Sequence, residues 1–543
     1  MAAKTRTLSK VTNPGQAFVL PQLLLILAFS FWPLCAVFYY STTQYDGLSE
    51  PINVGLDNFV FLATWPDFYR ILLNNLLLIG GVVVWVLVPF IMAIAVFPMK
   101  AASTIRAILY IPAMLPPIIV GGVFRIVLAD EGPVNAGLRA AGLGFLAPGW
   151  FTDPNFVLIT VVVVIGWATL GSGVLYYSTG LAAISPSYIE AAQLDGVNRW
   201  QLIWHIYRPA LRPITRFWIL LLTISTVTGF FPWIYGLTQG GRGRQSRFHR
   251  AHCAHSDRDA AYPQGGGVEL AMKKNNWFET VIVALALIIV LGPILWVVRV
   301  ALKPTAEYVG EPANFGGTWT LENIGTVWVT GGMAQAILHS TITVGVGATL
   351  AVTLAACTGF ALARYQFLGR RFTIALTTSA MFLPAAALVI PMFELLQVWG
   401  MLDSLVWLGV VYGVMFSAWA TVFMRSFFSQ LPSEVFEAGD VDGAGPIRQF
   451  VSIALPMAKP ALATAFILTC FLQWSELLLA LLLLPSGDTP TVAVAIAQFS
   501  SQFRTGGPLT AAAMLVGTAP VLLLFVFGQR WLQAGAISGA VKD

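Results

Sequence analysis

Two stretches of the chain place acidic and small residues at the same spacing. Residues 189–213 read IEAAQLDGVNRWQLIWHIYRPALRP, and residues 436–460 read FEAGDVDGAGPIRQFVSIALPMAKP. The two align without gaps at a separation of 247 residues. The matched pairs are Glu190 with Glu437, Ala191 with Ala438, Asp195 with Asp442, Gly196 with Gly443, Ile206 with Ile453, Pro209 with Pro456, and Pro213 with Pro460. A single copy is compatible with an ordinary solvated loop, but two matched copies indicate a repeated functional part.

Each stretch predicts a short amphipathic helix, a glycine turn and a second helical segment. Gly196 and Gly443 permit the backbone angles that such a turn needs. Glu190 and Glu437 are expected in the first helical turn, where a carboxylate is favourable near the helix N-terminus. A proline in each copy lacks the N–H donor and is expected to end the second segment.

The elements that carry these stretches must lie in a membrane. Of 543 residues, 57% are hydrophobic and only 10% are charged, whereas a soluble domain carries about 25% charged residues. A membrane-spanning helix needs about 20 mostly apolar residues. Eleven segments meet this requirement, near residues 18–40, 72–97, 105–128, 156–181, 216–238, 278–299, 337–362, 372–396, 404–428, 461–484 and 510–529. The first resembles a signal peptide, but it has no clear cleavage site and is interpreted as a retained helix.

Lys and Arg mark the cytoplasmic loops of membrane proteins. They cluster before the first span and in the connections that carry both repeated stretches, so both stretches are expected on the cytoplasmic side. The net charge of +5 is explained by these loops and not by nucleic-acid binding. Three of the four cysteines lie in apolar stretches, which predicts neither a disulfide framework nor a zinc site. Two membrane halves in parallel repeat are a known transporter architecture.

The repeated stretches resemble the EAA loop of binding-protein-dependent ABC importers, in which Glu-Ala-Ala precedes Gly and Ile-x-Leu-Pro. The first half resembles the maltose-F or glycerol-phosphate-A type of permease and the second half the partner G or E type, with support from GLDNF (55–59), IPAMLPPIIV (111–120), WTLENI (319–324) and LPSEVFEAGDVDGA (431–444). In that family the loop is a coupling helix that docks in a groove of an ATPase. The resemblance assigns this coupling to Glu190, Ala191, Ala192, Asp195, Gly196, Glu437, Ala438, Gly439, Asp442 and Gly443. Gly439, in place of a second Ala, and Arg208, in place of the usual Leu, depart from the pattern.

The resemblance implies an all-α, polytopic fold of two type I (MetI-like) importer permease units with about eleven transmembrane helices in the cell membrane. The sequence contains no Gly-Lys-Ser/Thr step and hence no phosphate-binding P-loop. We therefore expect no catalytic residue, metal or cofactor in this chain, and ATP bound by separate ABC ATPase subunits, in two copies. An extracellular solute-binding protein is expected to deliver the solute. The implied solute is a carbohydrate or a glycerol-phosphate-like compound.

A charged residue lies inside one predicted span. Glu476 follows Gln473, Trp474 and Ser475 in the segment 461–484, and charges at membrane depth are costly and usually functional. One hypothesis places these residues on the substrate path, with polar groups for sugar hydroxyls and an indole face for stacking. The alternative is a polar contact between helices. Two further features are interpreted as interfacial: Glu394, near the outer end of its span, and the aromatic cluster Phe230, Phe231, Trp233 and Tyr235, which also offers a surface for a ring.

The pattern breaks between the halves. We predict a first permease unit at 1–241 with five spans, a polar basic linker at 242–271 and a second unit of six spans at 272–543. The sixth span of the first unit is missing, so eleven full crossings cannot place both repeated stretches inside. A frame change or gene fusion could have replaced that span with out-of-frame sequence. Alternatively, the fifth segment, weakened by Gly229 and Pro232, does not cross completely.

The linker also holds a concentration of metal-ligand residue types. His249, His252, Cys253 and His255 lie close together in sequence, and such groups can bind zinc. Their setting in an apparently out-of-frame segment favours chance. The sequence is also compatible with two alternatives to an importer permease: a secondary transporter or channel, which would need no ATPase, and a degenerate fused permease with impaired transport.

Overall fold

The computed structural model describes residues 14–45, 47, 49–229, 231–238, 277–502 and 507–540. The helices of the first half are α1 (Pro14–Ile26), α2 (Trp32–Tyr40), α3 (Asp57–Thr64), α4 (Pro66–Gly80), α5 (Val82–Val96), α6 (Ala102–Met114), α7 (Pro117–Val127), α8 (Pro133–Ala140), α9 (Pro154–Ala182), α10 (Pro186–Leu194), α11 (Arg199–Leu202), α12 (Arg208–Ala210), α13 (Arg212–Thr228) and α14 (Phe231–Thr238). The predicted linker and its histidines lie outside the described residues.

The helices of the second half are α15 (Trp277–Ala301), α16 (Thr305–Gly310), α17 (Glu322–Val329), α18 (Met333–Arg364), α19 (Arg370–Ala380), α20 (Ala385–Val398), α21 (Leu405–Phe428), α22 (Ser433–Val441), α23 (Pro446–Gln449), α24 (Leu455–Met457), α25 (Lys459–Trp474), α26 (Leu478–Leu483), α27 (Val492–Gln502) and α28 (Pro508–Ala540). Three π-helical segments are Leu27–Phe31, Ile203–Tyr207 and Phe450–Ala454, and Gly144–Leu146 is a 3₁₀ turn. Strands β1 (Thr43–Gln44) and β2 (Ile52–Asn53) form an antiparallel pair.

The described residues contain seven helices long and apolar enough to cross a membrane, or up to eleven spans if each bent pair counts as one. This agrees with the predicted number, but two spans predicted as continuous are sharply bent. Helix α6 meets α7 at 96°, and α19 meets α20 at 101°. Both bends fall at prolines. Leu115 is extended, as expected for the residue before Pro116, and Pro384 is itself extended at the start of α20.

The internal repeat extends from sequence to structure. Helices α10, α11 and α12 have the same lengths as α22, α23 and α24, and each begins 247 residues before its counterpart. The intervening π-helical segments obey the same separation. Gly196 and Gly443, at the turns, have φ angles of +72° and +73°. The predicted order of helix, glycine turn and second helix is therefore present in both copies.

Two details of that prediction are wrong. Glu190 and Glu437 lie in the second turn of α10 and α22, because these helices begin at Pro186 and Ser433, earlier than expected. The prolines that were expected to end the second segment lie inside it. The chain bends one residue after that segment, by 66° in the first copy and 76° in the second. A π-helical turn precedes each of these prolines, and both features are typical of bent helices.

Two more predicted spans are interrupted at equivalent points. The segment 216–238 divides into α13 and α14 around Gly229, and the segment 461–484 divides into α25 and α26 around Glu476. These two residues are themselves 247 positions apart. In the second unit the interruption is followed by a further long helix, α28. The break at Gly229 is therefore a property of the repeat, and whether the fifth segment crosses completely stays a prediction.

The first helix of each half packs on the other half. The Gln22 side chain of α1 donates to Ser417 Oγ at 3.0 Å and to Thr421 Oγ1 at 2.8 Å on α21. In the same way, helix α15 of the second half packs against α5, α6 and α7 of the first unit. Trp167 Nε1 of α9 donates to the carbonyl oxygen of Ile289 on α15 at 2.9 Å. The two units are therefore interlocked through their first helices.

Candidate functional site

The repeated stretches lie on the surface as helical hairpins, which we call the coupling loops (residues 186–210 and 433–457). In the first loop Ala192 is buried, while Glu190, Ala191, Asp195 and Gly196 are exposed. In the second loop the buried position is Gly439, and Glu437, Ala438, Asp442 and Gly443 are exposed. The same face of the first helix therefore packs inwards in both copies, and its acidic residues face outwards.

The glycine that departs from the family pattern has a steric reason. A Cβ atom at Gly439 would lie 3.0 Å from Ile453 Cδ1, on the second helix of the same hairpin. This separation is tighter than an ordinary van der Waals contact, so an alanine would push the two helices apart. Gly439 thus allows closer packing of the hairpin than the alanine of the first loop.

Both coupling loops present large apolar side chains to water. The exposed residues are Tyr188, Leu194, Trp200 and Trp204 in the first loop, and Val435, Val441, Ile447, Val451 and Met457 in the second. Each residue of the first set matches one of the second at the 247-residue separation. These exposed residues were not predicted from the sequence, although the repeat carried the signal. Clustered exposed apolar residues on a water-facing surface are typical of protein docking sites.

The second coupling loop is anchored more firmly than the first. Phe436 is fully buried, and its ring lies 6.1 Å from that of Phe360. The Arg364 guanidinium lies 4.1 Å above the Phe436 ring, within cation–π range. The matching residue of the first loop, Ile189, is only partly buried. The second loop is therefore tied directly to the end of α18.

The first coupling loop is stabilised by a pair of hydrogen bonds at its turn. The backbone N–H of Asn198 donates to Gln201 Oε1 at 2.8 Å, and the backbone N–H of Gln201 donates to Asn198 Oδ1 at 2.9 Å. This reciprocal pair satisfies amide groups at the start of α11, as a capping box does. The turn between the two helices is therefore fixed locally in the first loop.

The membrane-embedded Glu476 has a structural role. Its carboxylate accepts hydrogen bonds from the Leu479 N–H at 3.0 and 3.1 Å, from the Ala480 N–H at 3.2 Å and from Tyr412 Oη at 2.7 Å. It thus satisfies the free amides at the start of α26, where the chain resumes its helix after the break. The contact with Tyr412 also joins this region to α21. These contacts agree with the alternative of a polar contact between helices, and the place of Glu476 on a substrate path stays a prediction.

Gln473 is the member of the predicted set without protein partners. It is buried, and neither its Oε1 nor its Nε2 has a hydrogen-bond partner. Thr343 Oγ1, on the facing helix α18, is also buried and unpartnered. A Cβ atom placed on Gly347 of the same helix would collide with Gln473 Oε1, so this glycine makes room for the amide. Buried polar atoms without partners are rare, because each costs about 1–3 kcal/mol.

The two residues between Gln473 and Glu476 are satisfied internally. Trp474 is buried, and its Nε1 donates to the Gly517 carbonyl oxygen of α28 at 3.2 Å. Ser475 Oγ donates to the Phe471 carbonyl oxygen at 2.9 Å. The indole of Trp474 therefore packs between α25 and α28. The assignment of all four residues to a substrate path remains a prediction, and Gln473 is the one whose polar atoms are free.

The features interpreted as interfacial have defined contacts. Glu394 on α20 accepts a hydrogen bond from Tyr40 Oη at the end of α2, which links the two halves. Phe231 and Tyr235 stack with ring centroids 5.6 Å apart on α14. Phe230 lies outside the described residues. Helix α14 approaches α7 closely, since a Cβ atom on Gly121 would lie 2.4 Å from the Gly236 carbonyl carbon.

These observations define a class: a polytopic α-helical permease of two related units, each with a helical hairpin on its surface. The profile of the family described as binding-protein-dependent transport system inner membrane component matches residues 85–247 and 347–537. Because the matches cover more than half of the chain, it belongs to that family and is a multi-pass cell membrane protein. The first match extends into the segment predicted as linker, beyond the expected end of the first unit.

Individual relatives match about half of the chain. The diacetylchitobiose uptake system permease protein NgcG of Streptomyces coelicolor is 31% identical over 46% of this chain and 83% of its own length. The trehalose transport system permease protein SugB of Mycobacterium tuberculosis is 33% identical over 50% of this chain and 99% of its own length. A solved bacterial alginate ABC transporter, in complex with an alginate pentasaccharide-bound periplasmic protein, is 25% identical over 41% of this chain and 75% of its own, with a TM-score of 0.37.

Proposed function

We propose that this chain forms the membrane pathway of an ATP-driven carbohydrate importer. The observation that carries the proposal is the pair of coupling loops with matched exposed apolar residues. An importer driven by two ATPase subunits needs two equivalent docking elements, and the chain offers two on one polypeptide. A secondary transporter has no use for such elements.

ATP binding and hydrolysis are assigned to separate ABC ATPase subunits, one on each coupling loop. The exposed apolar residues would enter a groove of the ATPase, and the coupling residues Glu190 and Glu437 would lie at its rim. No catalytic residue or cofactor is assigned to this chain. The solute would be delivered by an extracellular binding protein, in keeping with the description of the family.

The proposed solute class is carbohydrate, which follows the printed names of the relatives, among them permeases for diacetylchitobiose and trehalose. The chemistry at Gln473 is compatible with this class. An amide offers both donors and an acceptor to hydroxyl groups, and here both are unpartnered. We assign Gln473 to the solute pathway, with Thr343 facing it from α18.

The docking proposal is tested by placing charge on the exposed apolar faces. Leu194→Asp and Val441→Asp should each reduce the ATPase that co-purifies with the tagged chain, and together they should abolish its stimulation by solute and binding protein. Leu368→Asp is the matched control, because Leu368 is equally exposed on another loop outside the coupling hairpins. If Leu194→Asp and Val441→Asp leave the co-purified ATPase unchanged, the coupling loops do not dock it.

A permease with impaired transport is the second candidate, because the described part of the first unit contains no counterpart of α28. Uptake of radiolabelled disaccharide by this chain, against uptake by two separately expressed permeases of the same family, distinguishes the two. Equal rates would exclude the impaired form.

A further inference from the structure

In the second unit, the long helix α28 covers one side of α25. Thr464 Oγ1 donates to the Trp531 carbonyl oxygen at 2.8 Å, and Trp474 Nε1 donates to the Gly517 carbonyl oxygen. Between them, Ile467 lies against Gly528, since a Cβ atom there would be 2.7 Å from Ile467 Cδ1. The exposed fractions of Thr464, Ile467 and Trp474 are only 4%, 4% and 8%.

The matching side of α13 in the first unit is exposed in the described part of the chain. The counterparts of these three residues, 247 positions earlier, are Phe217, Leu220 and Val227. Their exposed fractions are 50%, 57% and 66%. They lie at helical spacing on one face of α13, which we call the open stripe. The difference between the units is therefore the absence of a sixth helix over the open stripe in the described part of the chain.

The sequence that follows α14 contains no counterpart of α28. Residues 239–276 are rich in Arg, His, Gly and Asp and contain no run of about 20 apolar residues. Polar backbone is not tolerated against lipid unless it is satisfied within a helix or covered by protein. A helix that covers the open stripe would therefore come from outside this chain.

We propose that the open stripe is the docking site for one apolar transmembrane helix of a separate polypeptide. This helix resembles α28 in length and composition and carries a small residue opposite Leu220, as Gly528 lies opposite Ile467. It runs from the outer to the cytoplasmic side. The inference goes beyond the proposed transport function and does not depend on the identity of the solute.

The probe is a tagged single-span peptide with the sequence of residues 507–540, co-expressed with the full chain. In a chain whose four native cysteines are replaced by alanine, Leu220→Cys should form a disulfide with Gly528→Cys of the peptide. Leu24→Cys on α1 is the matched control, because Leu24 is also 57% exposed. We expect cross-linking at Leu220→Cys and none at Leu24→Cys.

Three outcomes would overturn the proposal. Equal cross-linking at both positions means non-specific contact in the bilayer, and no cross-linking by an inserted peptide means that lipid covers the open stripe. A disulfide between two copies of the Leu220→Cys chain without peptide means that a second copy covers it. If the peptide does not insert, the same helix is placed between Thr238 and Trp277. Thiol labelling of Leu220→Cys should then fall to the level of Ile467→Cys, and unchanged labelling contradicts the site.

Discussion

Trp167 donates its indole N–H to the carbonyl oxygen of Ile289, which joins α9 of the first unit to α15 of the second. Ile289 lies four residues before Pro293, inside α15. In a regular helix its carbonyl would accept from residue 293, but proline has no N–H. The indole of the first unit therefore occupies the hydrogen-bonding position that a proline of the second unit leaves open.

A second pair repeats this relationship within the first unit. Trp218 Nε1 donates to the Trp85 carbonyl oxygen at 3.1 Å, and Trp85 lies four residues before Pro89 in α5. In both cases a carbonyl group lacks its helical N–H donor because a proline lies four residues later. A tryptophan on a neighbouring helix donates to that carbonyl instead. Such carbonyls are costly in the membrane when unpaired.

The first prediction is a double-mutant cycle on the contact between the units. Trp167→Phe should destabilise the protein by about 1 kcal/mol, because the Ile289 carbonyl loses its donor. In a Pro293→Ala background the helix regains its own N–H, so Trp167→Phe should cost clearly less. Thermal unfolding in detergent gives the coupling energy. Additive effects would show that the indole hydrogen bond is unrelated to the proline.

The second prediction concerns the turn of the second coupling loop. Gly443→Ala should destabilise the hairpin by roughly 1 kcal/mol, because φ is +73° there and a side chain disfavours that region. Gly445→Ala is the control, since neither position has any atom within 4 Å of an added Cβ but Gly445 has φ of −66°. Protease susceptibility of the loop and ATPase co-purification are the measurements. Equal effects of the two variants would count against backbone strain as the cause.

The third prediction separates stability from transport at Gln473. Gln473→Leu should leave the melting temperature unchanged or raise it, because it removes two buried polar atoms that lack partners. If the amide serves the solute pathway, the same variant should lower uptake by about tenfold or more, which corresponds to roughly 1.4 kcal/mol. A variant that keeps full uptake would assign Gln473 to helix packing alone.

The fourth prediction tests the structural role of Glu476. Glu476→Ala should destabilise the protein by about 1–2 kcal/mol, because the free amides at the start of α26 lose their acceptor. Glu476→Gln retains a carbonyl oxygen and should recover most of that loss. Circular dichroism melting in detergent distinguishes the two. An alanine variant as stable as the parent would contradict the capping role.

The fifth prediction concerns the close approach of α7 and α14. Gly121→Ala would place its Cβ 2.4 Å from the Gly236 carbonyl carbon, so the helices must separate at a cost of about 1–3 kcal/mol. Gly345→Ala is the control, because that glycine also lies inside a helix but has no atom within 4 Å of an added Cβ. Gly345→Ala should be neutral or stabilising. If both behave alike, α14 is not packed on α7 as described.

Much of the architecture could be predicted from the sequence because its causes are local or repeated. The low content of charge required a membrane, and the 247-residue repeat located both coupling loops and their glycine turns. The helix starts at Pro186 and Ser433 were placed too late, which put Glu190 and Glu437 in the wrong turn. The exposed apolar residues of the loops were missed because exposure depends on which face packs inwards.

The sequence by itself determined the class of protein, the two coupling loops and the polar residues Gln473 and Glu476 within a predicted span. Only the tertiary structure decided which of those polar groups is free. The Glu476 carboxylate accepts hydrogen bonds from Tyr412 and from the backbone of α26, whereas the Gln473 amide has no hydrogen-bond partner. Only folding decides this, because the partners lie on other segments of the chain. The tertiary structure also located the surface that differs between the two units. Helix α28 covers α25, and nothing among the described residues covers Leu220 in the same way.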